Sequence, residues 1–189
     1  MPSSSFKNFV ENYTLLSEEV WRYVSEVAEP ISYRKGDLIL KEGDICRHLY
    51  FIENGLLRFF VWKDGNDITK FFTIAPYFFT SQRSFTKQQP AKENIEAIED
   101  SDLWRISYQD NEELLQLPSW SRFARKITEE VQYFTERILE DLQNETAERR
   151  YQKMAESQNE LLQRVPQKYI ASFLGVTPQS LSRIRKNIL

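Results

Sequence analysis

The 189-residue sequence has one cysteine and one histidine, Cys46 and His48. A single cysteine excludes an internal disulfide, fits a reducing compartment, and leaves too few thiolates for an iron–sulfur cluster. Spacing puts Cys46 and His48 on one face of a predicted strand, but two ligands do not make a zinc site, which takes three or four. Nothing else in the sequence supports haem ligation through His48 or a redox role for Cys46, since no cation is placed beside the thiol. No apolar run approaches the length of a membrane span, and the opening M-P-S-S-S-F-K lacks the apolar stretch of a signal peptide. The expected compartment is therefore the cytoplasm, with no membrane partner. G-x-S-x-G, H-E-x-x-H, P-loop and G-x-G-x-x-G patterns are all missing, so no enzyme activity, cofactor or metal is expected.

A further absence is regional. From Leu161 to the end there is no Asp or Glu, while Arg164, Lys168, Arg183, Arg185 and Lys186 give that segment a net charge of +5. The whole chain carries 25 basic and 28 acidic residues, so residues 1–160, with 20 and 28, carry −8. A compact basic end on an acidic protein is the electrostatic footprint of a nucleic-acid module, and the overall pI of about 5.4 hides it.

What is present is ample apolar material: 41% hydrophobic and 14% aromatic residues suffice for a packed core plus a small second module. Residues 6–29 read as helix, with Ser17, Glu18 and Glu19 as a helix start before Val20, Tyr23, Val24 and Val27. From Ile31 to about Tyr108 the pattern changes to short β-rich runs, L-I-L, H-L-Y-F-I, L-L-R-F-F-V-W and I-T-K-F-F-T-I. They are separated by turn signals at 35–37, 42–44, 53–55 and 64–66. That spacing predicts an antiparallel sandwich or jelly-roll barrel, its interior either plain core or a ligand cavity. The aromatics Phe71, Phe72, Tyr77, Phe78 and Phe79 are read as core.

A long helix is predicted over 118–143, with Trp120, Ala124, Ile127, Val131, Phe134, Ile138 and Leu142 stepping by three or four. The stripe fits either packing on the chain's own barrel or a homodimer seam, and the seam is the reading preferred here. Asn144 interrupts the stripe, and Glu145 to Arg164 read as renewed helix.

Residues 167–188, Q-K-Y-I-A-S-F-L-G-V-T-P-Q-S-L-S-R-I-R-K-N-I, predict two short helices around a tight turn. Glycine enters positive φ freely, so Gly175 can reverse the first helix, and Thr177 with Pro178 restarts the chain as N-cap and first helical residue. Ala171 is small where the helices would cross, and Leu181 anchors the second. At about 100° per residue, burying Leu181, Ile184 and Ile188 turns Gln179, Arg183 and Lys186 outward. Gln can pair with adenine, Arg with guanine, and Lys with phosphate, which is the chemistry of major-groove readout; an ordinary helical hairpin with a solvated face is the alternative. The candidate DNA-binding set is Thr177, Gln179, Ser180, Arg183 and Lys186.

Four stretches, 33–44 (Y-R-K-G-D-L-I-L-K-E-G-D), 49–58 (L-Y-F-I-E-N-G-L-L-R), the helix at 118–143 and the terminal 165–186, resemble in this order the Crp/Fnr family of bacterial transcription regulators. The resemblance implies an α+β chain in three parts. Residues 1–117 form an antiparallel jelly-roll, cyclic-nucleotide-binding-like β-barrel sensor with an N-terminal helix. Residues 118–143 form a dimerisation helix, and 144–189 a helix-turn-helix domain whose recognition helix, 178–188, enters the major groove. Implied partners are double-stranded DNA, a second copy, a small-molecule effector and RNA polymerase. Pro178 and Gln179 stand where the family shows an Arg-Glu pair, whereas Arg183 matches its later Arg; with the sequence ending at Leu189, no following wing is expected. Cyclic-nucleotide-binding members carry a Gly-Glu that takes the ribose and an Arg that takes the phosphate. Here no Gly-Glu follows Phe78 and Phe79, and Ala91 stands at the Arg. A buried phosphate would forfeit charge-assisted bonds of about 1.5 to 3 kcal/mol each, so cyclic AMP is not the expected effector; Arg83 and Lys92 are the candidate substitutes. The competing reading is a cupin-like barrel protein acting as a protein-binding signalling scaffold, and the acid-free terminus argues against it.

Overall fold

The structure is a computed structural model and describes residues 2–188, so Met1 and Leu189 lie outside the described residues. Two short helices open it: α1 (Ser4–Glu11), capped by the Ser3 hydroxyl accepting from Phe6 N, and α2 (Glu18–Val27), capped by Ser17 accepting from Val20 N. The continuous helix expected over 6–29 is therefore two. Ser17 caps only with extended backbone, φ −67° and ψ 157°, which stops any helix from passing through it.

Eight strands follow: β1 (Glu29–Tyr33), β2 (Leu38–Leu40), β3 (His48–Asn54), β4 (Leu56–Lys63), β5 (Asn66–Ile74), β6 (Tyr77–Phe79), β7 (Asn94–Ala97) and β8 (Ser101–Ser107). They form two four-stranded sheets, ordered β1-β8-β3-β6 and β2-β7-β4-β5, the antiparallel sandwich that the alternating runs predict. β4 turns into β5 through Asp64 and Gly65, both at positive φ (52° and 78°), which is what a two-residue hairpin turn with the twist of its strands requires. Cys46 lies just before β3, buried, and so does not share a strand face with His48. Between β6 and β7 runs α3 (Gln82–Lys87), and after β8 comes α4 (Tyr108–Leu114), capped by Ser107; the strand-like reading of 31–108 did not contain the first.

Residues alternate cleanly across the first sheet. Phe51, Phe78 and Ile106 face the helices and join Phe6, Val10, Val24, Leu114, Trp120 and Phe123 in one buried cluster. Tyr50 and Phe79 lie on the other face, stacked at 5.1 Å, with Phe59 edge-on to Phe79 at 6.0 Å. Phe78 and Phe79 are thus core, as read, while Phe71, Phe72 and Tyr77 are only partly buried.

The long helix α5 (Pro118–Asn144) starts on proline, whose fixed φ suits a first helical position. Its opening turns belong to the chain's own core: Trp120 is fully buried and donates its indole N–H to Asn111 Oδ1 at 3.3 Å. Trp120 is therefore not a seam residue. Glu130, three turns in, accepts from the Tyr13 hydroxyl at 2.5 Å and the Tyr77 hydroxyl at 3.3 Å; burial and this carboxylate hold both phenols above their ordinary pKa. Beyond it the stripe opens: Val131 and Leu142 are exposed, and Phe134 and Ile138 half-buried.

By compactness the described residues divide into two units, one of 2–59 with Phe72–Val131, the other of Phe60–Phe71 with 132–188. The second unit holds α6 (Ala147–Ser157), α7 (Asn159–Arg164), α8 (Gln167–Leu174) and α9 (Pro178–Ile188) around buried Tyr151, Met154, Leu161, Val165, Ile170, Ala171, Leu174 and Leu181. Glu145 to Arg164 is not one helix: Thr146 caps α6, and Gln158, at φ −137° and ψ 39°, separates α6 from α7. No helix among the described residues is long and apolar enough to cross a membrane.

Candidate nucleic-acid interface

The terminal helices are built from local signals that act as read. Gly175 takes φ 69° at the end of α8, and Val176 N returns to Ala171 O at 3.0 Å, closing the turn. Thr177 Oγ1 accepts from Ser180 N at 3.1 Å and pairs with Ser180 Oγ at 3.0 Å, which starts α9. Ala171 and Leu181, both fully buried, let the two helices approach. Arg150 of α6 reaches across to donate to the Leu174 carbonyl at 2.8 Å, satisfying an end group that α8 cannot bond itself.

Gln179, Arg183 and Lys186 are all exposed and lie within about 60° of one another around the α9 axis, opposite Leu181, Ile184 and Ile188. Thr177 and Ser180 stand at the start of the same helix, their hydroxyls engaged in the cap. Arg185 and Lys186 close its last turn, where the helix dipole favours cations. Lys168 sits 4.5 Å from the centroid of the Tyr169 ring, and Arg164 pairs with Glu160 at 2.5 Å, the last acid of the chain. Four of the five expected reader residues thus lie on α9 and Thr177 immediately before it, and the helix presents three long polar side chains to solvent, a surface able to donate to phosphates and to base edges.

The effector candidates are placed differently. Arg83, on α3, and Lys92, on the segment leading into β7, are both exposed, and neither lines the hollow of about 350 Å³ bounded by Leu38–Lys41, Asp44–His48 and Tyr50. Ala91 is buried, with its N–H on Asp44 O and its carbonyl accepting from Gly43 N. The carboxylates after it are engaged: Glu93 accepts from Ser81 Oγ at 2.7 Å, and Glu96 from the buried Arg58 guanidinium at 2.8 Å. At Ala91 the segment therefore offers a methyl group where a phosphate would need a guanidinium, and the Arg58 guanidinium is taken up by Glu96. Among the described residues no group of three or more His, Cys, Asp or Glu is placed to hold a metal ion. His48, half-buried, has its imidazole pKa lowered by burial and then by Arg105.

Sequence reasoning missed Arg150, which holds the end of α8 from α6, and Ser172, through which α8 itself bonds Asp67 and Thr69. Both contacts join residues distant in sequence, so no local pattern announces them.

Residues 30–117 match the model of the cyclic nucleotide-binding domain. No curated protein sequence matches the chain. Among solved structures, the chain is similar to a CooA mutant from Carboxydothermus hydrogenoformans (14% identity, 99% of this chain and 84% of that one, TM-score 0.73) and to FixK2 from Bradyrhizobium japonicum (21%, 86% and 84%, TM-score 0.71). It is also similar to a transcriptional regulator of the Crp/Fnr family from Eubacterium rectale (18%, 91% and 83%, TM-score 0.70). At such identities the likeness is one of fold: an α+β chain in which a cyclic-nucleotide-binding fold of antiparallel sheets is followed by a long helix and C-terminal helices, as in Crp-like structures.

Proposed function

We propose that this chain is a homodimeric, sequence-specific DNA-binding transcription regulator of the Crp/Fnr type, with α9 as its recognition helix in the major groove. The observation that carries the reading is the exposed Gln179, Arg183 and Lys186 face, on a helix that follows a positive-φ turn inside a +5, acid-free segment. A scaffold surface for protein partners would not need a segment of one charge sign with a planar Arg and Gln at its centre. The exposed stripe of α5 from Val131 to Leu142 supplies an apolar face for a second copy, and two copies give two recognition helices for two half-sites. The barrel acts as sensor for a small-molecule effector other than cyclic AMP, because Ala91 offers no guanidinium to a phosphate. RNA polymerase is the further partner this reading implies, and the cytoplasm its compartment.

Fluorescence anisotropy against a random duplex pool, followed by selection and sequencing of the retained DNA, tests the reading. A palindrome with half-sites about one helical turn apart is expected, with affinity that falls steeply as salt rises. Absence of binding, or affinity indifferent to salt, would overturn it.

A further inference from the structure

Within the unit formed by residues 60–71 and 132–188, one hydroxyl joins the β4–β5 hairpin to the candidate reader. Ser172, on α8, accepts from Thr69 N at 2.9 Å and donates to Asp67 O at 3.0 Å. β5 is the edge strand of its sheet, so the outward N–H and C=O groups of alternate residues face away from β4. Asp67 and Thr69 are two such residues, and the Ser172 hydroxyl answers both of their outward groups, as one residue of an added strand would. Among small side chains only a hydroxyl can donate and accept at a single atom, and Ala, Val or Gly would leave both groups without this partner.

Ser172 follows Ala171, which is packed against α9, so the helix that touches the hairpin on one side cradles the recognition helix on another. Arg150 pins the C-terminal end of α8 through the Leu174 carbonyl, and Ser172 pins its middle. The hairpin is in turn continuous with its sheet: β4 and β5 run without a break from the tip, 60–71, into Leu56–Phe59 and Phe72–Ile74. The two strands thus give the pairing of β4 and β5 at their base a continuous backbone route to Asp67 and Thr69. The reading face of α9 stays exposed while the contact is made, so the contact orients the helix and does not block it.

We propose that Ser172 is a positioning residue that couples the edge strand of the sensor sheet to the reader, fixing the attitude of α8 and α9 and thereby the spacing at which two readers meet their half-sites. This rests on the DNA-binding reading above. Ser172 touches no base; its role is in register, not in recognition.

The test compares wild type, Ser172→Ala and Ser172→Thr on two duplexes, the selected palindrome and a single half-site, at low salt, with helical circular dichroism as the check on folding. Ser172→Ala should bind the palindrome about tenfold less tightly with single half-site affinity unchanged, and Ser172→Thr, which keeps the hydroxyl, should restore most of the loss. Unchanged palindrome affinity, or equal loss on both duplexes, would overturn the proposal. Amide exchange at Thr69, read in the same proteins without DNA, separates this failure from that of the DNA-binding reading. Exchange about tenfold faster in Ser172→Ala is expected from the lost acceptor, and unchanged exchange would remove the contact whatever the DNA result. A wild-type protein that binds neither duplex but shows that exchange effect would overturn the DNA-binding reading and its spacing role together, leaving only the docking of α8 on the hairpin.

Discussion

Truncating Leu142 to alanine probes the proposed dimer where its seam is most open. Leu142 is 54% exposed in the single chain and continues the stripe of Val131, Phe134 and Ile138 on α5. The substitution removes three carbons, and a partner can cover only the 54% of the side chain that the single chain leaves exposed. At about 0.8 kcal/mol per buried CH₂ the loss is about 1.3 kcal/mol per protomer, hence about 2.6 kcal/mol for a symmetric pair. Converted at about 1.4 kcal/mol per decade, the dimer dissociation constant rises about a hundredfold. Sedimentation velocity over a concentration series reads that shift directly. Tyr133 provides the control: it is 67% exposed but lies about 200° around the helix from Val131, so Tyr133→Ser should leave the constant within about threefold. Two results would refute the reasoning. A Leu142→Ala protein that dimerises like wild type would mean the stripe meets something else, and equal weakening by both variants would mean that exposed apolar area, not the seam, drives association.

Arg183→Ala should cost about 1 to 3 kcal/mol on the selected palindrome and relax preference at one base pair, whereas Lys186→Ala should weaken selected and random duplexes alike; equal losses on both duplexes for Arg183→Ala would contradict a base-reading role. Gly175→Ala should destabilise the second unit by about 1 kcal/mol in chemical denaturation, because φ 69° disfavours a side chain while a Cβ there meets nothing within 4 Å, making the effect conformational alone. For His48, burial holds the folded pKa below the ordinary 6.5, so the unfolded chain takes up a proton first as pH falls, and stability declines as pH drops through 6.5 toward the depressed value. Denaturation midpoints compared from about pH 7.5 to about pH 5.5 should therefore fall less steeply in His48→Gln than in wild type. Parallel slopes would show that the imidazole contributes nothing to the pH dependence.

Elements that act within a few residues were legible in the sequence. Gly175, Thr177 and Pro178 each constrain their own backbone, and the reversal and restart of the terminal helices follow from them without tertiary help. The Asp64-Gly65 turn and the four branched runs gave β2 to β5 for the same reason. Where the reading overran, at 6–29 and 145–164, the signals were present but outweighed by periodicity: Ser17 was seen as a helix start, yet a start implies an end before it. The stripe of α5 misled differently. Its period is uniform from Trp120 to Leu142, and only the third dimension reveals that the chain's own core takes the first turns and leaves the rest open. Arg150, Ser172 and the Tyr13–Glu130–Tyr77 cluster depend on contacts across tens of residues, beyond the reach of any local pattern.

The division of α5 gives that helix a phase. Its first turns are held in the core by Trp120 and Phe123, and along a continuous helix the bearing of each later residue about the axis is set by its count from them. One residue inserted just after Glu130 would leave Trp120 in place and swing everything beyond it by about 100°. Val131 to Leu142 would then point away from the proposed partner, with every side chain intact. Seven inserted residues would bring the face back to within about 20° of its original bearing and only lengthen the rod by about 10 Å. If the proposed pair forms through this face, its assembly is written in the number of residues between core and seam as much as in the identity of the seam residues.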